Sequence, residues 1–106
     1  MAVIGGCVVL SATPGATVTL TLDVEAQRMV AIWTAGESET INLSGTQKQG
    51  QLLTLMVTDD AVIRTLTFGT GFSSTGVVIG TALKRSTHLF QSDGTNFIEL
   101  SRTLGL

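Results

Sequence analysis

From Thr17 to Leu22 the chain reads Thr-Val-Thr-Leu-Thr-Leu, with an apolar residue at every second position and a β-branched hydroxyl between. Side chains of an extended strand point alternately to opposite faces, so Val18, Leu20 and Leu22 share one face and Thr17, Thr19 and Thr21 the other. That is the pattern of a half-buried strand. Further strands are expected at Val3 to Leu10, Met29 to Trp33, Glu39 to Leu43, Leu52 to Val57, Val62 to Phe68, Gly76 to Ala82, Thr87 to Gln91 and Phe97 to Arg102. Between them lie Thr13-Pro14-Gly15, Ala35-Gly36-Glu37, Ser44-Gly45-Thr46, Lys48-Gln49-Gly50, Asp59-Asp60 and Ser92-Asp93-Gly94-Thr95. Such clusters reverse a chain, because glycine supplies positive φ and Asp or Asn caps its own turn. Turn signals at about ten-residue spacing predict an all-β sandwich or barrel of about eight or nine strands. No window carries a helical period and no internal repeat is evident. Residues 15–106 are expected to form the sandwich, and residues 1–14 a first strand or an arm laid on a neighbour.

Of the 106 residues, 43% are hydrophobic and only 13% charged, against roughly 25% charged in an average soluble domain. So few charges leave part of the exterior to be covered by membrane or by other subunits. No apolar run reaches the ~18 to 20 residues that span a bilayer, so burial between subunits is expected and membrane insertion is not. Two runs, Cys7-Val8-Val9-Leu10 and Val77-Val78-Ile79, break the alternation. Continuous apolar strands are covered on both faces, which predicts a subunit interface at Cys7, Val8, Val9, Val77, Val78 and Ile79. The net charge is −2 and the six basic residues are scattered, without the concentrated positive field that nucleic acid requires.

Reactive groups are sparse. Cys7 is the single cysteine, so no intramolecular disulfide is available. It reads as a small buried hydrophobe, because the segment before it is too short for a lipoprotein signal. His88 is the single histidine and lies in a strand, where a cross-strand hydrogen bond or an interface is the expected role. A serine triad could be written down, but no nucleophile-turn motif supports one. Glu37 and Glu39 are expected to be solvated at a loop-to-strand junction, and Asp59-Asp60 to form a hairpin tip. A Ca²⁺ site at that tip would want six or more oxygens. Gly69-Thr70-Gly71-Phe72 is not followed by the helix that a dinucleotide loop opens. It reads instead as a tight connection, with Phe68 and Phe72 plugging the end of the core. Asn42-Leu43-Ser44 matches a glycosylation sequon that should stay unmodified without a secretion signal. No catalytic, cofactor-binding or metal residues are expected, and the chain is not expected to be an enzyme.

Asp93-Gly94 predicts a two-residue hairpin of type I′. Phe90 and Phe97 flank it and should close the sheet, with Glu99 and Arg102 pairing with other strands or subunits. This hairpin also carries a resemblance. Thr65-Leu66-Thr67-Phe68-Gly69-Thr70-Gly71-Phe72, followed by Phe90-Gln91-Ser92-Asp93-Gly94-Thr95-Asn96-Phe97-Ile98-Glu99-Leu100-Ser101-Arg102-Thr103, resembles the C-terminal signature of small trimeric β-domains of tailed-phage virion proteins. The similarity extends from about Thr40 to Thr103. It implies a jelly-roll (C1q/TNF-like) antiparallel two-sheet sandwich that forms a homotrimer. Such domains occur as capsid decoration or cement proteins, with the major capsid protein as partner, and as terminal modules of tail fibres or spikes that bind a host-surface glycan or protein. A fibre tip normally trails a shaft, whereas this chain starts with methionine and is nearly all domain, so the capsid exterior is the expected location. Residues Met1 to Pro14 are expected to help clamp capsomers there.

Overall fold

The computed structural model describes residues 2–4, 7–73 and 77–105. The described residues form eleven strands and no helix: β1 (Ala2–Ile4), β2 (Cys7–Val9), β3 (Thr17–Thr21), β4 (Arg28–Ala35), β5 (Glu39–Ser44), β6 (Leu52–Asp59), β7 (Thr65–Phe68), β8 (Phe72–Ser73), β9 (Val77–Ile79), β10 (Arg85–Ser92) and β11 (Phe97–Thr103). They lie in two sheets, one of seven strands ordered β1-β2-β4-β6-β10-β11-β8 and one of four ordered β3-β5-β7-β9. The all-β, two-sheet architecture expected from the alternation is therefore present. In β3, Val18 and Leu20 are buried and their threonine neighbours exposed.

The strand directions correct the expected antiparallel jelly roll. From β2 to β7 the chain crosses from one sheet to the other at every connection. Equivalent strands of successive turns stack in parallel: β2 on β4 on β6, and β3 on β5 on β7. Cys7 lies opposite Arg28 and Arg28 opposite Leu52, so the chain advances one strand position per coil. Turn residues and alternation alone do not say whether a chain leaving a strand pairs beside it or crosses to the facing sheet. Hence a coil in space without a repeat in sequence. The last third closes the coil with antiparallel strands, β9 on β7, β10 on β6 and β11 on β10, while β8 runs parallel to β11. Jelly rolls are antiparallel throughout, and this path is not.

The inner faces meet in one core. The large sheet contributes Met29, Ala31, Trp33, Leu53, Leu55, Val57, Phe90 and Phe97, and the small sheet Val18, Leu20, Ile41, Leu43, Leu66 and Val78. Val8 and Leu10 belong to the same core. The segment before Pro14 thus contains the strand Cys7–Val9 and contributes Val8 and Leu10 to the core. The predicted strand from Val3 to Leu10 is instead the β1–β2 pair. Gly76, the predicted start of another strand, lies outside the described residues. Val62 and Ile63, also predicted as strand, are exposed in the connection between β6 and β7. There the Asp60 carboxylate accepts the Val62 N–H and binds the Arg64 guanidinium through both oxygens at 2.8 and 2.9 Å. These bonds give the backbone a turn in place of a ladder, and the guanidinium holds the Asp60 carboxyl below its usual range.

The hairpin after β10 also differs from the expected type. Of residues 93–96 only Gly94 has positive φ, at 98°, and the Asp93 N–H donates to the Asn96 carbonyl at 3.1 Å. Gly94-Thr95 is therefore the central pair, with glycine first, the pattern of a type II′ turn. Asp93 stands at the corner, where its Oδ1 accepts the N–H groups of Thr95 and Asn96.

Candidate functional site

Three polar side chains are buried for structural work that the sequence did not disclose. Glu39 was expected in solvent, yet it is 2% exposed. One carboxylate oxygen accepts the Trp33 indole N–H at 2.7 Å and the other the Gly15 backbone N–H at 3.1 Å. It ties β4 to the loop before β3, so its pairing with exposed Glu37 makes no two-carboxylate site. Asp59 ends β6 with its Oδ2 accepting the Arg64 N–H at 2.9 Å. It marks a crossing between sheets, where a hairpin tip was expected. Gln51 donates to the carbonyls of Asp23 and Ala26 and accepts the Lys48 N–H, pinning the loop before β4. Buried backbone groups need partners, and these side chains supply them. The sequon residue Asn42 does the same for the Thr70 N–H.

The most reaction-like cluster lies between β10 and β11. His88 Nε2 is 2.9 Å from Ser86 Oγ and Nδ1 is 3.3 Å from Glu99 Oε2. A carboxylate accepts only, so Nδ1 carries the proton and Nε2 accepts from the serine hydroxyl. The order hydroxyl, imidazole, carboxylate is that of a hydrolase triad. Access distinguishes the two: His88 is 0% and Ser86 4% exposed, the edge-on ring of Phe68 lies 5.5 Å from the imidazole, and no described cleft is lined by either residue. Arg102 Nε reaches Glu99 at 3.0 Å. Residues three apart normally face opposite ways in a strand. A bulge between Leu89 and Phe90 sets Phe90 opposite Glu99 and His88 opposite Arg102, bringing both charged residues to one face. Sequence spacing gave no sign of that bulge.

Burial holds the imidazole below the ordinary histidine value of 6.5, with Glu99 pulling upward and Arg102 adding to the depression. The unfolded chain therefore takes up the proton first as pH falls. This contribution to stability is complete above about pH 6.5 and is lost progressively as the pH drops toward the lowered folded-state value. Urea unfolding at pH 8 and pH 5.5 is expected to show lower stability at the acidic pH, and His88→Gln to flatten the difference. An equal pH dependence in both proteins would refute this assignment. Among the described residues no group of three His, Cys, Asp or Glu is placed to hold a metal, and no helix is long and apolar enough to cross a membrane.

Phe90 and Phe97 are fully buried, and Phe68, Phe72 and Phe90 stack with ring centroids 4.9 to 5.1 Å apart. The predicted interface residues are divided by the structure. Val8 and Val78 are 5% and 1% exposed and are spent in the protein's own core, a correction that follows from ordinary strand alternation. Cys7 and Val9 lie half-buried on the outside of the large sheet. Val77 and Ile79, 47% and 62% exposed, lie on the outside of the small one. The six residues therefore form no single patch.

The outer face of the large sheet is uncharged at its centre, with apolar side chains interleaved with threonine and serine. There Val30, Ile32, Leu52, Met56, Leu89, Ile98 and Leu100 are half-buried or exposed. A depression of about 580 Å³ crosses it, lined by Cys7, Arg28, Val30, Leu52, Thr54, Met56 and Leu89. Arg28 and Arg85 lie at opposite ends of this face, since Arg28 pairs across to Leu52 and Arg85 to Thr58, and its strands carry no outward acid. Period two was legible in β4, β6 and β10. Which strands would be neighbours, and so whether their outward residues would merge into a surface, was not.

No protein-family model matches the chain and no curated protein matches it.

Proposed function

We propose that this chain is a non-enzymatic virion structural protein of a tailed phage, a homotrimer that decorates the capsid exterior and binds the major capsid protein. The observation that carries the reading is the outer face of the large sheet, uncharged across its centre, where Val30, Ile32, Met56 and Leu89 are interleaved with Thr54, Thr87 and Ser101, and charged only at its ends. A surface of this kind is built for burial against protein. Two things support it: the 13% charged content, and the burial of the His88 cluster, the triad-like arrangement found among the described residues. The resemblance of the Thr-Phe-Gly segment and the Asp-Gly-Thr hairpin to trimeric virion domains supplies the threefold state and the capsid. The jelly-roll connection is not retained.

The clamp expected of residues 1–14 needs a different test from deletion, because removing Val8 and Leu10 opens the core. The purified protein is expected to have a mass three times the 11.1 kDa chain by light scattering coupled to size-exclusion chromatography. It is also expected to co-sediment with capsids prepared without it. A monomer would overturn the trimer. A trimer that ignores capsids but labels the tail tip of the virion would move the protein to a fibre or spike.

A further inference from the structure

We infer that Asp93-Gly94 is a site of covalent self-modification, isomerisation to an isoaspartyl bond, which the folded hairpin holds shut and unfolding opens. The inference goes beyond the virion reading and stands independently of it. An aspartate followed by glycine is open to this reaction because glycine has no side chain to hinder the approach of its nitrogen. The Gly94 nitrogen gives up its proton and attacks Cγ of the neutral Asp93 carboxyl. The N–Cγ bond forms, the Cγ–OH bond breaks, and the proton and hydroxyl leave as water, closing a succinimide ring. Solvent water then opens the ring at either carbonyl. One product is the original aspartyl bond. The other is an isoaspartyl bond, in which the main chain runs through the former side chain.

Each reacting group is already engaged in the fold. The Gly94 N–H donates to Ser92 Oγ at 3.0 Å. Ser92 is 3% exposed, and its own hydroxyl donates to Gln47 Oε1 at 2.5 Å. The serine lone pairs are thereby left to Gly94, and its buried oxygen screens the amide proton from solvent base. On the other side, Asp93 Oδ1 accepts the N–H groups of Asn96 and Thr95 at 2.8 and 2.9 Å. Donors of this kind favour the ionised carboxylate and hold the Asp93 carboxyl below its usual range. Little remains of the neutral acid whose hydroxyl can leave. The turn is clamped as well: the Asp93 N–H donates to the Asn96 carbonyl at 3.1 Å, the Ser92 N–H donates to the Gln51 carbonyl at 2.9 Å, and Ser92 pairs with Phe97 in the ladder of β10 and β11. Ring closure draws the Gly94 nitrogen toward Cγ and costs its bond to Ser92. An isoaspartyl bond would add one carbon to the main chain between residues 93 and 94, and the turn would no longer align Ser92 with Phe97. A chain modified while unfolded therefore loses the register of its last hairpin.

The test incubates the full-length protein at neutral pH, folded in buffer and unfolded in urea, and follows the tryptic peptide from Ser86 to Arg102, in which Asp93 is the single aspartate. Its isoaspartyl form has the same mass, separates on reversed-phase chromatography and resists a protease that cuts before aspartate. One hydrogen bond of ordinary net strength is worth up to about tenfold in a rate. The unfolded chain is therefore expected to isomerise about a hundredfold faster than the folded one, which breaks three such bonds, and folded Ser92→Ala about tenfold faster than folded wild type. Gln47→Ala is the control for general loosening. It removes the partner of the serine but leaves Ser92 Oγ on Gly94, and should keep the wild-type rate. Circular dichroism checks that both variants are folded. Equal rates in the folded and unfolded wild type, or no isoaspartyl peptide from either, would overturn the inference. So would a wild-type rate in folded Ser92→Ala, or the same acceleration in Gln47→Ala. Should Ser92→Ala fail to fold, the comparison of folded with unfolded wild type decides alone.

Discussion

Phe90→Ala is expected to be the most damaging single change. Phe90 is fully buried and its ring centroid lies 5.1 Å from Phe68 and 4.9 Å from Phe72. It thus joins the large sheet to β7 of the small sheet and to β8. Truncation removes the transfer energy of the ring and leaves a cavity, a loss of about 3–5 kcal/mol. A domain of this size has only about 5–15 kcal/mol in total. The melting temperature should fall by about 15–25 °C, read by circular dichroism at matched protein concentration. Phe90→Leu, which refills much of the space, should lose clearly less. Equal losses in the two variants would mean that the aromatic stack is not what closes this end of the core.

Gly71→Ala is expected to cost about 2–5 kcal/mol, from two causes that can be separated. Gly71 has φ of 91°, and a Cβ built on it would lie 2.7 Å from the Cβ of Leu43. That neighbour is anchored to the backbone of β5 and cannot swing away. The left-handed conformation alone costs an L-residue roughly 1–2 kcal/mol, and forcing an extra carbon into a packed site about 1–3 kcal/mol more. Gly50 provides the control, with φ of 94° but nothing within 4 Å of an added Cβ. Gly50→Ala should show the conformational cost alone. If the two variants lose the same stability in urea unfolding, the close approach to Leu43 contributes nothing.

Both effects fall in the Thr-Phe-Gly segment and the final hairpin. There the individual residues were informative, but their partners were not. Phe68 and Phe72 were legible as a plug, whereas the ring they stack on lies some twenty residues away in sequence. Asp93 and Gly94 announced a turn, and the choice of II′ over I′ depended on which residue took the corner. Glu39 shows the same limit from the other side. A carboxylate beside a turn reads as solvated, and only the placement of the Trp33 indole and the Gly15 N–H around it makes burial favourable.

The sequence by itself marked most of the strands, because period-two alternation is a local property of an extended chain. It also marked most places where strands end, because positive φ and Asx capping are properties of single residues, and it left few groups able to do chemistry. Only the tertiary structure decided that consecutive strands cross between sheets and stack in parallel. Only it put Val8 and Val78 into the core, used a bulge to gather Glu99 and Arg102 beside His88, and merged the outward residues of β4, β6, β10 and β11 into one surface. Each of these depends on which distant segments become neighbours. That choice is set by the packing of the whole core, and no local window contains it.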